Sequence, residues 1–236
     1  NYIIYFFKLF IKIFFYKFAD GIICNSNSSR HYLKKFLKKN SIITIFNPIH
    51  YEKNVIKSRN CENLLTIGRL ENQKNISGII LALKQVKIKF PKIKLLIIGG
   101  GSERQLLEQL VEKNNLQENV EFKGFVNPEK YLLSSKILIL NSFFEGLPNV
   151  LIEGMASKIP IISTDCESGP REILENGRFG ALIKVNETEE LYKKIIFTLE
   201  NYDEAKKKSE EGFKSLVRFD KTKQLIISVD TYVEGT

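Results

Sequence analysis

Two glutamates eight positions apart frame an otherwise apolar run in the stretch FFEGLPNVLIEGMAS, residues 143–157. Carboxylates accept hydrogen bonds from vicinal hydroxyls, as they do from ribose, so a pair aimed at one cleft holds a polyol at two points. Gly146 gives backbone room after Glu145. Pro148 suits the first turn of a helix, and Glu153 then falls a little more than one turn into it. The plainer alternative sets Glu145 against the helix dipole and leaves Glu153 solvated. Two cations, Arg69 and Lys74, stand five positions apart just before another helical pattern. A cation is electrostatically disfavoured at a helix N-terminus, so the pair asks for an anion; a solvated helix start is the bland reading.

These residues need elements to position them. From Gly21 the chain alternates apolar runs with amphipathic stretches: GIICNS, SSRHYLKKFLKK and SIITIF come first, followed by the polar connection NPIHYEKNVIKSRNCE. NLLTIG, IKLLIIG, NVEFKG, KILILNS, IPIIST and GALIKV then read as strands, with helical patterns between them. Such alternation specifies parallel pairing through right-handed crossovers, hence an α/β fold with a doubly wound, Rossmann-like parallel sheet. The division expected is residues 1–46 as part of a second Rossmann-like domain, 47–62 as a linker, 63–219 as the main domain, and 220–236 as a C-terminal helix that Asp220 can N-cap, packing back on the first segment. In open α/β sheets ligands bind beyond the carboxyl ends of the strands. Arg69 and Lys74, the glycines 99–101, Gly124 with Phe125, and the EGLPN loop all fall there. Two cations, a glycine turn and helix N-termini at one edge suit a diphosphate. GGGSER is not GxGxxG, and NVEFKG ends without the acidic residue a nicotinamide dinucleotide needs, which argues against that cofactor.

Composition narrows the classes. Hydrophobic residues make up 43% of 236, ample for a core and against a disordered chain. Cys24, Cys61 and Cys166 lie far apart with no CxxC, and only two histidines are present, so zinc has almost no ligands and reduced thiols in the cytoplasm are expected. The formal charge of +9 suits anionic lipid, phosphorylated ligands or nucleic acid without choosing among them. In NYIIYFFKLFIKIFFYKFAD, Lys8, Lys12 and Lys17 interrupt the apolar run before the roughly 18 residues that would span a bilayer. A helix of this kind can lie in an anionic membrane interface with its lysines snorkelling, or pack on the sheet of a domain mostly outside this sequence.

In order and spacing, TIGRLENQKN, LIIGGGSE, VEFKGFV, NSFFEGLPNVLIEGMAS and PIISTDCESGPREIL resemble the nucleotide-sugar-binding half of retaining GT-B glycosyltransferases of family 4 (glycosyl transferases group 1), over residues 20 to about 200. The resemblance implies that Gly68, Arg69 and Lys74 hold the donor's diphosphate. Gly124, Phe125 and Val126 form the turn whose backbone meets the nucleobase. Glu145 lies near the donor sugar and Glu153 on the ribose hydroxyls, with the backbone of Gly146, Leu147, Pro148, Asn149 and Val150 beneath sugar and phosphate. Arg69, Lys74 and Glu145 are the implied catalytic set. No metal and no cofactor are expected, because the cations and a helix N-terminus neutralise the leaving diphosphate.

SGPREIL is similar to the segment in transferases that elongate capsule, lipopolysaccharide or lipid-linked oligosaccharides. That similarity implies transfer of a hexose or N-acetylhexosamine from a UDP-sugar to a glycan or polyprenyl-linked acceptor, in the cytoplasm or at the inner membrane face, with no nucleic-acid partner. One departure stands out: most of the family's acceptor-side domain precedes ADGIICNS. The histidine that members carry near the donor sugar has no counterpart, and His31 and His50 read as structural. A GT-B sugar-nucleotide epimerase and a non-catalytic donor-half module stay open as other classes.

Overall fold

The computed structural model describes residues 11–37, 41–47, 63–166 and 168–220, together with Thr222 and Gln224. His50, Cys61, most of the expected linker and the last helix beyond Gln224 lie outside the described residues. Near the start, residues 11–16 are helical. β1 (Ile22–Cys24) and β2 (Ile42–Thr44) pair in parallel, and α1 (Asn27–Lys34) crosses between them. Ser26 caps α1 by accepting from Ser29 N at 3.1 Å. Ile22, Cys24, Leu37 and Ile42 form a small core of their own, with Ile13, Ala19 and Leu33 against it.

The larger body is a six-stranded parallel sheet in the order β5-β4-β3-β6-β7-β8. Its strands are β3 (Asn63–Ile67), β4 (Lys94–Ile98), β5 (Val120–Gly124), β6 (Ile137–Leu140), β7 (Ile161–Thr164) and β8 (Ala181–Ile183). The expected doubly wound architecture is therefore present. Runs such as LLII and ILIL suit strands covered on both faces, and β6 and β7 are buried along their whole length.

Alternation divides their side chains between two layers. Leu64, Leu95, Ile97, Ile137 and Ile139 face a core with α2 (Ile76–Lys89), α3 (Arg104–Lys113) and α7 (Thr188–Glu200). Leu65, Leu96, Ile98, Leu138 and Leu140 face the other, with α4 (Glu129–Ser134), α5 (Asn149–Ala156) and α6 (Pro170–Ile173). α8 (Tyr202–Lys214) and a 3-10 turn, Ser215–Phe219, close the second layer, where Leu216 and Phe219 are fully buried.

The order reverses between β3 and β6. From β3 the chain winds outward through β4 and β5; α4 then returns it to β6 on the other side, and it winds outward again through β7 and β8. Loops leaving β3 and β6 diverge, which opens a crevice at their carboxyl ends. The loop after β4 is pressed onto the loop after β3. Gly99 has φ +129°, and a Cβ there would lie 1.9 Å from the Gly68 carbonyl oxygen.

Contacts tie the N-terminal segment to this body. Phe46 stacks edge-on against Phe219 at 5.0 Å, and its N–H donates to Gln224 Oε1 at 2.8 Å. Glu172 of α6 accepts from Asn27 N at 3.0 Å and Ser28 N at 3.3 Å, at the start of α1. Asp220 Oδ1 accepts from Thr222 N at 2.9 Å, as an N-cap would.

Gly99→Ala combines a backbone conformation closed to L side chains with a clash against a carbonyl, so it should destabilise the fold by about 3 kcal/mol or more in denaturant unfolding. Gly146→Ala is the contrast, because nothing lies within 4 Å of the Cβ it would add. Its stability should stay within about 0.5 kcal/mol of the parent.

Candidate functional site

The loop after β3 runs from Gly68 into a 3-10 turn, Asn72–Lys74, and delivers one cation into the crevice. The Lys74 stem passes over Gly68, where an added Cβ would sit 3.3 Å from Lys74 Cε. Its Nζ reaches Glu145 Oε1 at 2.5 Å, with the two side chains only 15% and 8% exposed. The anion that Lys74 asks for is thus Glu145 itself, so neither a solvated Lys74 nor a Glu145 set only against the α5 dipole describes this pair.

Ser142 Oγ donates to the same Glu145 oxygen at 2.5 Å, and Ser168 Oγ donates to the Glu145 carbonyl at 2.6 Å. Arg69 is exposed, and its Nη2 lies 3.4 Å from Gln73 Oε1. Gln73 in turn joins the two loops. Its carbonyl accepts from Phe143 N at 2.9 Å and its Nε2 donates to the Phe144 carbonyl at 2.8 Å. Deeper in, Asn75 adopts φ +45°, and its Oδ1 caps α2 through Gly78 N at 3.2 Å. The Asn75 carbonyl takes the amide of buried Asn141 at 3.1 Å.

α5 begins beyond Pro148. Leu147 and Pro148 are buried, Gly146 and Asn149 exposed, and Val150 packs at the edge of the second core. Asn149 Oδ1 accepts from Asn47 Nδ2 at 3.1 Å. Glu153 lies in the second turn of α5, half-buried, and among the described residues its carboxylate has no hydrogen-bond or ion-pair partner. Burial pushes its carboxyl above the usual range, since desolvation penalises the charged form. Cys166 is buried near Glu145, and its thiol is pushed up to about 11, first by burial and then by the charge of Glu145. That thiol stays protonated at neutral pH and is a poor nucleophile.

At the other end, Gly124 turns the chain with φ +66° and Phe125 is 87% exposed. The Phe125 ring lies on Gly100, whose Cβ, if present, would be 2.5 Å from the ring edge. Val126 is exposed beside it. Glu71 accepts from Ser102 N at 3.1 Å and Ser102 Oγ at 2.8 Å, which holds the glycine loop and keeps the Glu71 carboxyl below its usual range.

A cleft of about 830 Å³ separates these loops from the N-terminal segment. Glu145, Phe144 and Ser168 line one side; Tyr16, His31 and Tyr32 line the other. His31, expected to be structural, is exposed and faces this space. The structure thus joins Lys74 to Glu145 directly, Arg69 to the same loops through Gln73, and Phe125 to the glycine loop. Among the described residues Glu153 makes no hydrogen bond or ion pair with any of them. Among the described residues, no group of three His, Cys, Asp or Glu side chains is placed to hold a metal ion. Gln73, Ser142 and Ser168 were not anticipated. Their signal is weak, a polar residue at a strand end or inside a cationic loop.

Residues 50–215 match the family described as Glycosyl transferases group 1. An uncharacterized glycosyltransferase of Methanocaldococcus jannaschii is 36% identical over 176 residues, which is 68% of this chain and 43% of its own length. A Campylobacter jejuni protein is 34% identical over 162 residues, 68% of this chain and 43% of its own length; it is the N-acetylgalactosamine-N,N'-diacetylbacillosaminyl-diphospho-undecaprenol 4-alpha-N-acetylgalactosaminyltransferase. In fold, a mutant of S. aureus TarM in complex with fondaparinux, alpha-GlcNAc-glycerol and UDP matches with a TM-score of 0.84 at 24% identity, over 91% of this chain and 44% of that one. The chain spans about half the length of the curated relatives it matches. With the matched segment covering well over half of its residues, the chain belongs to the glycosyl transferases group 1 family.

Proposed function

We propose that the chain is the nucleotide-sugar-binding half of a retaining glycosyltransferase. The enzyme would transfer a hexose or N-acetylhexosamine from a UDP-sugar to a growing glycan or a polyprenyl-linked acceptor. The observation that carries this reading is the Lys74–Glu145 pair at the point where the sheet reverses its winding, the place where open α/β sheets hold ligands. The Campylobacter relative, named for a diphospho-undecaprenol acceptor, and the UDP in the TarM complex support donor and acceptor class.

On this reading the acceptor hydroxyl attacks the anomeric carbon on the face from which the nucleotide leaves. A diphosphate oxygen takes its proton. Charge accumulates on the departing diphosphate, and Arg69 and Lys74 stabilise it where it develops, in place of a metal ion. Glu145 holds the sugar, Glu153 the ribose, and the Gly124–Val126 turn the base. The exposed Phe14, Phe15 and Phe18, with Lys12 before them and Lys17 among them, suit the anionic inner face of a cytoplasmic membrane.

Calorimetry against UDP, GDP and ADP sugars tests the donor. UDP sugars should bind, and a chain that takes none of them overturns the reading. In the enzyme carrying this domain, Arg69→Ala and Lys74→Ala should each lower turnover on the order of 10² to 10³ at saturating donor. A loss within about threefold would unseat both residues.

Glu153→Gln carries two opposite signs. A carboxylate that accepts ribose hydroxyls is worth about tenfold or more in UDP affinity, which the amide loses. Stability moves the other way. The folded carboxyl holds its proton to higher pH than the unfolded one, so the native state loses stability as pH rises through the folded value. Glu153→Gln should therefore raise the melting temperature at pH 7 and leave it unchanged below the unfolded carboxyl range. A lower melting temperature at pH 7 would mean that the carboxylate has a partner.

A further inference from the structure

Glu145 Oε1 accepts two hydrogen bonds, from Lys74 Nζ at 2.5 Å and from Ser142 Oγ at 2.5 Å. Among the described residues, Oε2 accepts none. The two donors differ in kind. Lys74 is a point charge on a flexible four-carbon stem with three rotatable donors, free to turn toward another anion. Ser142 is fully buried, at the carboxyl end of β6, and its carbonyl accepts from the fully buried Thr164 Oγ1 at 2.7 Å, at the end of β7. Its backbone is therefore fixed by two neighbouring strands, and its buried hydroxyl is held by the bond to Glu145 Oε1.

An arriving diphosphate competes with Glu145 for Lys74. If Lys74 were the only anchor, the carboxylate would come loose as the donor sugar reached it. Building on the donor-site reading above, we infer that Ser142 is a positioning residue: its hydroxyl keeps Glu145 Oε1 in place while Lys74 turns to the diphosphate, and Oε2 then accepts from a hydroxyl of the sugar. Carboxylate and cation part without the carboxylate losing its aim.

The quantity that reads this role is the ratio of UDP-sugar to UDP affinity, since the role assigned to Ser142 acts through Glu145 on the sugar. Calorimetry on the full chain with UDP, UDP-glucose and UDP-N-acetylglucosamine gives it. Ser142→Ala should bind UDP within about twofold of the parent and lose about tenfold of the gain that the preferred sugar provides. Ser142→Cys, with a weak donor of similar size, should also lose most of it, and it serves if the alanine variant fails to fold. Glu145→Ala should abolish the same gain, and adding Ser142→Ala to it should cost nothing further, a coupling that a merely structural serine would not show.

Ser142 variants that fold, bind UDP and keep the parent's sugar gain overturn the inference. So does a parent chain that binds UDP but gains nothing from either sugar, or a double variant whose losses add. Absence of UDP binding by the parent fails earlier, at the donor-site reading itself.

Discussion

The Lys74 ammonium and the Glu145 carboxylate meet where two halves of one sheet diverge, and the rest of the site is built around that meeting. Lys74 belongs to the loop leaving β3 and Glu145 to the loop leaving β6, strands that are neighbours in the sheet although 71 positions separate the two residues. Gln73 adds two hydrogen bonds between the same loops, one through its carbonyl and one through its side chain, and Asn141 reaches the Asn75 carbonyl behind them. A nearly buried ion pair is a poor way to stabilise a fold, because taking both charges from water costs about as much as their attraction returns. Apolar residues of similar size would hold these loops as well. What they would not supply is a cation and an anion kept a bond length apart at the mouth of a crevice, each able to change partner.

Much of this was legible from the residues alone, and the reason is periodicity. Strands such as LLTI and ILIL, separated by amphipathic stretches, admit few arrangements besides a parallel sheet, and the strand ends then show where a ligand goes. Arg69, Lys74, Glu145 and Phe125 stand out because each follows a strand. The pairing of Lys74 with Glu145 was not legible, since it depends on β6 returning to the far side of β3, a fact of strand order that no local pattern encodes. Ser142, Gln73 and Ser168 escaped for a related reason. Their chemistry is ordinary until a distant loop is set beside them. Glu153, eight positions after Glu145, lies in the second turn of the helix and is half-buried.

The segment before the main domain is held by groups that sequence patterns also hide. The Glu172 carboxylate sits at the N-terminus of α1, where the helix presents unpaired N–H groups and partial positive charge. Behind it, Arg218 donates to the carbonyls of Glu172 and Ile173 and lies over the rings of Phe179 and Phe219. Burial holds that guanidinium below its ordinary range, an expense that the carbonyls and the nearby Glu175 partly offset. PREI, four residues of helix, is thus the joint through which the second core of the sheet grips the segment that carries His31 and Tyr32.

Glu153 and the Lys74–Glu145 pair express one constraint in two ways. Each leaves charge in a place where folding alone would prefer none: the pair by burying two ions, Glu153 by burying one without a partner. A chain selected only for stability would favour an amide or an apolar residue at Glu153, since burial disfavours its charged form. Retained charge of this kind, gathered along the loops and helix starts of one sheet edge, is the pattern of a surface preorganised for a polar, charged ligand. Folding bears that cost because the sheet behind it, with Leu64, Leu65, Leu95, Ile137 and Leu138 fully buried, is apolar enough to carry it.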